Sequence, residues 1–553
     1  MTRIAAPNIL GLSGGDHDCA ASLLNGTEIV ASFEEDKLAR ARHSAGLPRR
    51  AIRYCLQAGG LRPEDIHYVA AARPLYGDAG RQAAADHWIP KRLKQTFPNS
   101  KIVLLDHHLC HAAAAYYPSP FDKAGILTLD EKGDWKTGGL WLGEGNSLRS
   151  LEDIYYPDSL GNLYSRVTSL AGFGAGADEH KLQWLSAWGK PNYAGLLRQV
   201  IRSDESSLLT VDQSYFVSGR QERGGFSEKF FHDAGWKPSE PLTEEARADL
   251  AASMQLVLEE IVLEISQRIA AQTKVESLAL SGGVALNPLL IERLESCGLF
   301  REIFVQPAAG NAGTALGAAL YCAHGMLNLS ARQRLEHMYF GPQYSGDEIK
   351  EVLDNCKLDF RYLPTRGDLV AATVEALQKN RIVGWFQGRA EFGPRALGAR
   401  SILASPLGPY VNENLNDFVK HREKFRPFAV SVQEEKAGEF FAHGPMAKYL
   451  ASLGKIKPAY REKFAANVLP PRPEAEGSSG EGRIRVHVVS RKTNSLLWDL
   501  LGAFGKASGL PVLFNTSFNL FGEPLVCSPR DAVRSFYCSG IDDLTIGNFL
   551  LSK

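Results

Sequence analysis

Short apolar runs of strand length alternate along this chain with polar, glycine-rich breaks. Asn8–Ser13, Cys19–Leu24 and Ile29–Phe33 are three such runs, separated by Gly14-Gly15-Asp16-His17-Asp18 and by Asn25-Gly26. Asn-Gly is the dipeptide best suited to a type I′ turn, so the pattern predicts a meander of three strands. Its first connection reads in two ways. Backbone N–H groups without bulky side chains can approach a phosphate closely, or the stretch is a plain hairpin turn. Lys101–Leu105 predicts a further strand, and the alanines after Asp106-His107-His108-Leu109-Cys110-His111 predict a helix. Gly125–Asp130 predicts a strand ending in a carboxylate. Two strand–glycine–helix corners follow, at Leu278–Asn287 and Phe304–Gly317, and neither has P-loop or G-x-G-x-x-G spacing. Strands are also predicted at Arg381–Phe386 and from Val512 into Asn515-Thr516-Ser517. No internal repeat is visible. The breakers Gly341-Pro342 and Ser345-Gly346 predict a passage between domains, and Pro470–Gly482 predicts a loop, a candidate lid.

Length adds that 553 residues allow about three to four compact units. Lys+Arg and Asp+Glu both number 62, so no whole-surface basic field exists to hold nucleic acid. The eight cysteines form no CxxC pair, which removes zinc ribbons and thioredoxin-like chemistry and predicts reduced thiols in a cytoplasmic protein. No apolar run reaches the roughly 18 residues of a membrane span, and Met1–Gly15 lacks the pattern of a signal peptide.

Candidate chemistry concentrates in a few places. His107 and His111 stand four apart, on one face of a helix, where two imidazoles can chelate a divalent ion. His108 falls on a different face, as a surface or core histidine. Asp130 is a further candidate ligand, or a residue that starts a turn. Arg389, Arg395 and Arg400 lie among glycines, and Lys420, Arg422 and Arg426 follow downstream with Phe and Pro between them. In a neutral chain such clusters read as an anion pocket or as a solvated basic face.

Taken together, these blocks resemble the NodU/CmcH family of ATP-dependent O-carbamoyltransferases, nearly end to end and in the family's order. The resemblance implies an α/β (α+β) protein. Its N-terminal part, residues 1–345, would be a Kae1-like domain of the actin/Hsp70-like ATPase class, and residues 346–553 a YrdC-like α/β domain. The C-terminal domain would form carbamoyl adenylate from ATP and carbamoyl phosphate, and the N-terminal one would pass the carbamoyl group to a hydroxyl of a small molecule. On the residues that match, His17 would serve transfer as a base, oriented by Asp18. Glu34-Glu35 through Arg42-His43 matches an acidic block with a basic-His end. His107, His111 and Asp130 would hold a divalent metal, iron(II) first, with Mn2+ or Mg2+ as alternatives. Asn311 stands at the fourth ligand position, where the family usually has aspartate. Gly282, Gly283, Asn287 and Gly310 would face the nucleotide. Arg389, Arg395, Lys420, Arg422, Arg485, Asn515 and Ser517 would hold carbamoyl phosphate and ATP. Glu179–Gly189 is bulkier than the family block it matches, so an acceptor pocket lined by it would differ in shape. No nucleic-acid or membrane partner is implied, and the oligomeric state is unreadable, a homodimer being compatible. Rival readings are a tRNA threonylcarbamoyl-adenosine enzyme, which would need a basic RNA surface, a hydrogenase-maturation carbamoyltransferase, which would need CxxC pairs, and a non-catalytic ATP-binding module.

Overall fold

The computed structural model describes residues 6–14, 17–73, 90–219, 222–470 and 482–553. Gly15, Asp16 and most of the predicted Pro470–Gly482 loop lie outside the described residues. The chain is a mixed α/β protein with three large sheets.

The first sheet runs β3 (Glu28–Glu34), β2 (Ala20–Asn25), β1 (Asn8–Ser13), β4 (Tyr68–Ala72), β5 (Lys101–Leu105). The first three strands are antiparallel neighbours, while β4 and β5 continue in parallel. All six residues of β1 are buried, because both faces of the sheet are covered; such a strand reads as a continuous apolar run rather than an alternation. The predicted turn shifts by one residue. Asn25 pairs with Glu28, so the loop is Gly26-Thr27, with Gly26 at a φ of +61° in its first position. That is the glycine placement of a type II′ turn.

The second sheet repeats the plan. Its order is β8 (Ser147–Tyr155), β7 (Lys136–Glu144), β6 (Lys123–Gly133), β11 (Ser277–Ser281), β12 (Glu302–Val305). Again three antiparallel neighbours are followed by two parallel strands. A two-stranded ribbon, β9 (Ile201–Asp204) with β10 (Ser207–Val211), stands apart. The repeat is one of topology, which is why no sequence period announces it.

The two sheets exchange helices. His107–Tyr116 follows β5 but packs on β6 and β11, whereas Asn311–Tyr321 follows β12 but packs on β1, β2 and β4. The two helices also pack on each other. Gly317 makes this possible, since a Cβ there would lie 1.9 Å from the Cys110 carbonyl oxygen.

The third sheet has ten strands and holds only residues after Phe360. Its centre is antiparallel, Val383–Phe386, Arg400–Ala404, Val512–Ser517, Ala429–Gln433, with Arg483–Val489 beside the last in parallel. Its side chains alternate between two cores. Ile402 and Ala404 join one, packed with helices Gly346–Asn355 and Pro529–Tyr537, while Leu403 joins the other, packed with Arg366–Gln378 and Ser495–Ser508.

Buried polar contacts join this sheet's loops to the first sheet. Lys37 pairs with Glu34 at 2.9 Å and donates to the carbonyls of Glu391 and Gly393, both at 2.8 Å. The Gly393 N–H donates back to Glu34 at 2.7 Å. Arg40 reaches Pro524 O at 3.0 Å and stands 3.5 Å from Asp531.

Candidate functional site

Helix His107–Tyr116 starts at Asp106, whose side chain caps it by accepting from the Leu109 N–H. The cap aims the first turn at the end of β6. His107 Nε2 and His111 Nε2 come within 3.0 Å of each other, and Asp130 Oδ2 lies 3.0 Å from His111 and 3.6 Å from His107. The outer ring nitrogens are fixed by oxygens: His107 Nδ1 donates to Arg73 O at 2.9 Å, and His111 Nδ1 meets Ser281 Oγ at 3.0 Å. Both Nε2 atoms are thereby turned inward with the carboxylate. Burial pushes the His111 pKa down, against its bond to Asp130. Burial would raise the Asp130 carboxyl, but its bonds to His107 and His111 outweigh that and hold it well below the usual range. Two neutral imidazoles and one carboxylate are a donor set for a divalent ion, so the residues fit the metal that the resemblance implies. His108 is a core residue, fully buried, with Nδ1 3.1 Å from Thr128 Oγ1.

Gly282 bends the chain beside this trio at a φ of +96°, and a Cβ there would sit 2.1 Å from Leu129 O. A Cβ on Gly283 would come 2.9 Å from Asp130 Oδ1. Both glycines therefore keep backbone against the trio. Gly310 precedes helix Asn311–Tyr321 as its N-terminal flank. Asn287 is engaged otherwise than expected: its Oδ1 caps helix Pro288–Ser296 and its Nδ2 donates to Gln255 Oε1 at 2.8 Å, in a buried setting.

His17 and Asp18 follow β1. His17 Nδ1 bonds Asp18 Oδ2 at 2.9 Å, and this bond, against partial burial, lifts the His17 pKa to about 9, with Asp130 and Glu131 adding to it. The resting imidazole at neutral pH is therefore a proton donor, and the expected base role begins with loss of that proton. Asn311 lies against this ring, its Nδ2 3.4 Å from both nitrogens of His17. His43, the basic-His end of the block that begins at Glu34, stands beside this pair, its Nδ1 3.3 Å from Asp18 Oδ1.

A second centre gathers cations from both sides of the molecule. Arg395, Lys420, Arg422 and Arg485 meet there with Arg426. Burial lowers the Arg395 pKa to about 10, with Arg426 contributing. Burial and then Arg426 lower Arg422 to about 9. Arg485 falls well below its usual range through burial, then through Arg395, Arg422 and Arg426. Lys420 does so through burial, Arg422, Arg426 and Arg42, while donating to Asn519 Oδ1 at 2.8 Å and to Ser517 Oγ at 3.2 Å. The Nε atoms of Arg426 and Arg485 are buried with no hydrogen-bond partner in the protein. Arg395 donates to Leu286 O at 2.9 Å, so the glycine corner of β11 touches this centre.

The bulky block enters here. Helix Glu179–Leu185 places Trp184 under the Arg485 guanidinium, 5.4 Å from ring centroid to carbon. Burial, then Arg426 and Arg395, push His180 down to about 3. Arg426, in the aromatic-cation run that the sequence offers as an anion pocket, belongs to this centre, and His180 and Trp184 bring the bulky block against it.

Two expected phosphate contacts are differently occupied. Arg389 spends its guanidinium on backbone, donating to Phe340 O at 2.8 Å, Val30 O at 3.0 Å and Gly341 O at 3.2 Å. It fastens the third sheet's loop to β3. Asn515 is buried and donates to Ser431 Oγ at 3.0 Å, beside His487. Ser517 remains at the edge of the centre, bonded to Lys420 and Asn519.

Among the described residues all eight cysteines are unpaired, and no helix is long and apolar enough to cross a membrane.

The family described as Carbamoyltransferase N-terminus matches residues 8–76 and 80–320, and Carbamoyltransferase C-terminus matches residues 374–553. An uncharacterized protein of Synechocystis sp. is 33% identical over 99% of this chain and 97% of its own length. Nodulation protein NolNO of Sinorhizobium fredii is 34% identical over 98% of this chain and 82% of its own. The 3'-hydroxymethylcephem-O-carbamoyltransferase of Streptomyces clavuligerus is 26% identical over 96% of each. With both halves matched and its relatives covered almost end to end, the chain belongs to the carbamoyltransferase family and is a transferase.

Proposed function

We propose that this enzyme is an ATP-dependent O-carbamoyltransferase with two reaction centres. The cation centre joins carbamoyl phosphate and ATP into carbamoyl adenylate. The centre around His17, His107, His111 and Asp130 transfers the carbamoyl group to a hydroxyl of a small molecule. The observation that carries this reading is the pair of buried, partnerless Nε atoms of Arg426 and Arg485 inside a cluster of cations that depress one another. Such a cluster is destabilising alone and is completed by a polyanion that supplies the missing acceptors. In this reading residues 1–345 carry transfer and 346–553 carry activation.

The atoms balance as follows. Water releases phosphate from carbamoyl phosphate, leaving carbamate. A carbamate oxygen attacks the α-phosphorus of ATP, and pyrophosphate leaves. Arg395, Arg422, Arg426 and Arg485 hold the two anions in line and offset charge on the leaving pyrophosphate. The acceptor hydroxyl then attacks the carbamoyl carbon, AMP leaves, and the hydroxyl proton must be taken up. His17, with Nδ1 tied to Asp18, offers Nε2 for that proton once it has lost its own. A divalent ion bound by His107, His111 and Asp130 would supply Lewis-acid polarisation of phosphate oxygen. The cephem and nodulation relatives favour a hydroxylated natural product as acceptor. ATP, carbamoyl phosphate and a divalent ion, iron(II) first, are then the required small molecules. Neutral balance argues against a nucleic-acid partner, and unpaired thiols favour the cytoplasm.

The test is carbamoyl-phosphate-dependent pyrophosphate release from ATP, without acceptor, in the presence of Fe2+ or Mn2+. Release that disappears in Arg426→Ala supports the reading. ATP binding with no release in any metal sinks it in favour of a non-catalytic nucleotide-binding module.

A further inference from the structure

The segment after β3 has chemistry that the two centres leave unused. Its acidic residues are spent on backbone. Glu35 Oε2 accepts from the N–H groups of Arg50 and Ala51, both at 2.8 Å. Asp36 accepts from the N–H groups of His43 and Ser44, both at 2.8 Å, closing a loop that returns on itself. That loop is then stitched to the strand beside the transfer centre: Cys19 N–H donates to Ser44 O at 3.2 Å, and Glu35 N–H donates to Cys19 O at 2.9 Å. The stitching brings His43 over Asp18. Asp18 divides its carboxylate between two imidazoles, giving Oδ2 to His17 Nδ1 and Oδ1 to His43 Nδ1. The two rings stand edge to face, with centroids 6.1 Å apart. Asp18 and His43 both adopt left-handed backbone, at φ of +56° and +54°. Non-glycine residues adopt that conformation at a cost, and here both do so where they meet.

We infer that His43 is a positioning residue for transfer: it fixes the Asp18 carboxylate, and through it the orientation of the His17 ring. A carboxylate bonded by one imidazole can rotate about its Cβ–Cγ bond; one that also faces a second imidazole, as Oδ1 faces His43 Nδ1 at 3.3 Å, turns less freely. His43 thus acts on His17 as the oxygens around His107 and His111 act on those rings. This inference rests on the reading of His17 as a transfer residue, and its test has an arm that does not.

The first arm is spectroscopic and uses the full chain with 15N-labelled histidine and no substrate. The His17 ring signals are assigned by their loss in His17→Gln. In His43→Ala the bonded Nδ1 proton of His17 is expected to broaden or vanish. His43→Gln, whose amide can still donate to Asp18, is expected to retain it. An unchanged His17 proton in His43→Ala overturns the inference. The second arm measures pyrophosphate release from ATP and carbamoyl phosphate, expected within about 2-fold of wild type in His43→Ala. With 3'-hydroxymethylcephem as the acceptor probe, carbamoyl transfer is expected to fall about 10–100-fold, the range for lost orienting partners, and to recover in His43→Gln. Loss of pyrophosphate release in a folded His43→Ala protein would overturn the assignment to transfer. If wild type releases no pyrophosphate, the proposed function fails, and the spectroscopic arm still decides whether His43 holds Asp18.

Discussion

At the residue scale, the cation centre stores free energy in an unfavourable form. Desolvation and mutual repulsion act in the same direction on Arg395, Arg422, Arg485 and Lys420, and Glu423, 3.5 Å from Arg426, opposes burial there without restoring Arg426 to its usual range. Anion binding should therefore stabilise the fold by simple linkage. Inorganic phosphate is expected to raise the melting temperature in a scanning-fluorimetry titration, and Arg426→Ala to lose most of that rise while melting no lower than wild type without phosphate. A variant that melts much lower and keeps the phosphate response would show that Arg426 is a structural cation. A different residue contributes to acid sensitivity. Burial lowers the His487 pKa from 6.5 to about 3 in the folded chain. Above pH 6.5 neither state holds its proton and nothing is lost. As pH falls below that value the unfolded state takes up the proton first, and stability declines until the folded pKa is reached. The slope approaches about 1.4 kcal/mol per pH unit, or about 2 kcal/mol between pH 6.5 and 5. Urea titrations at the two pH values should show this loss, and His487→Gln should show about that much less of it.

At the element scale, helices His107–Tyr116 and Asn311–Tyr321 cross closely, the first carrying two members of the metal-type trio and the second starting at Asn311, which lies against His17. Gly317 sets the distance of the crossing. Gly317→Ala is expected to cost about 1–3 kcal/mol as an overpacked contact, read as a lowered urea midpoint, because the obstacle is backbone and has no alternative rotamer. An unchanged midpoint would mean that the helices can separate freely. Elements of this kind were readable in advance only where the signal was local. The strands at Asn8–Ser13, Lys101–Leu105 and Leu278–Ser281 and the His107–His111 pair follow from apolar runs and a four-residue spacing. Asp130 was found as a strand-end carboxylate. The backbone contacts of Arg389 are not legible in the sequence, because an arginine bonded to backbone carbonyls and one bonded to phosphate have the same signature. His43 and Trp184 lie in blocks the sequence marks, but their partners are not readable there, because Asp18 lies across a turn closed by Asp36 and Arg485 lies far along the chain.

At the scale of the whole molecule, buried polar links tie the first sheet to loops of the third. Lys37 is the central one, since it is paired with Glu34 and shared between two carbonyls of the Glu391–Gly393 loop. Lys37→Met removes the cation and leaves a buried carboxylate, whose pKa burial already raises. The expected loss is about 3–5 kcal/mol, the range for breaking a buried pair. Calorimetry should show a single transition dividing into two as the third sheet loosens from the first; one undivided transition at the wild-type temperature would place the coupling elsewhere. The exchanged helices have a further consequence, in time rather than in space. One face of the first sheet is closed by helix Arg49–Gly59, but Ile9, Ala20, Leu24 and Ala70 belong to the core that Asn311–Tyr321 completes. During synthesis that helix emerges roughly 200 residues after β5, on the order of 10–40 s later at ribosomal speed. For that interval the nascent sheet shows water a bare apolar face, and the ribosome rather than the sequence of its strands dictates when this half of the enzyme can finish folding.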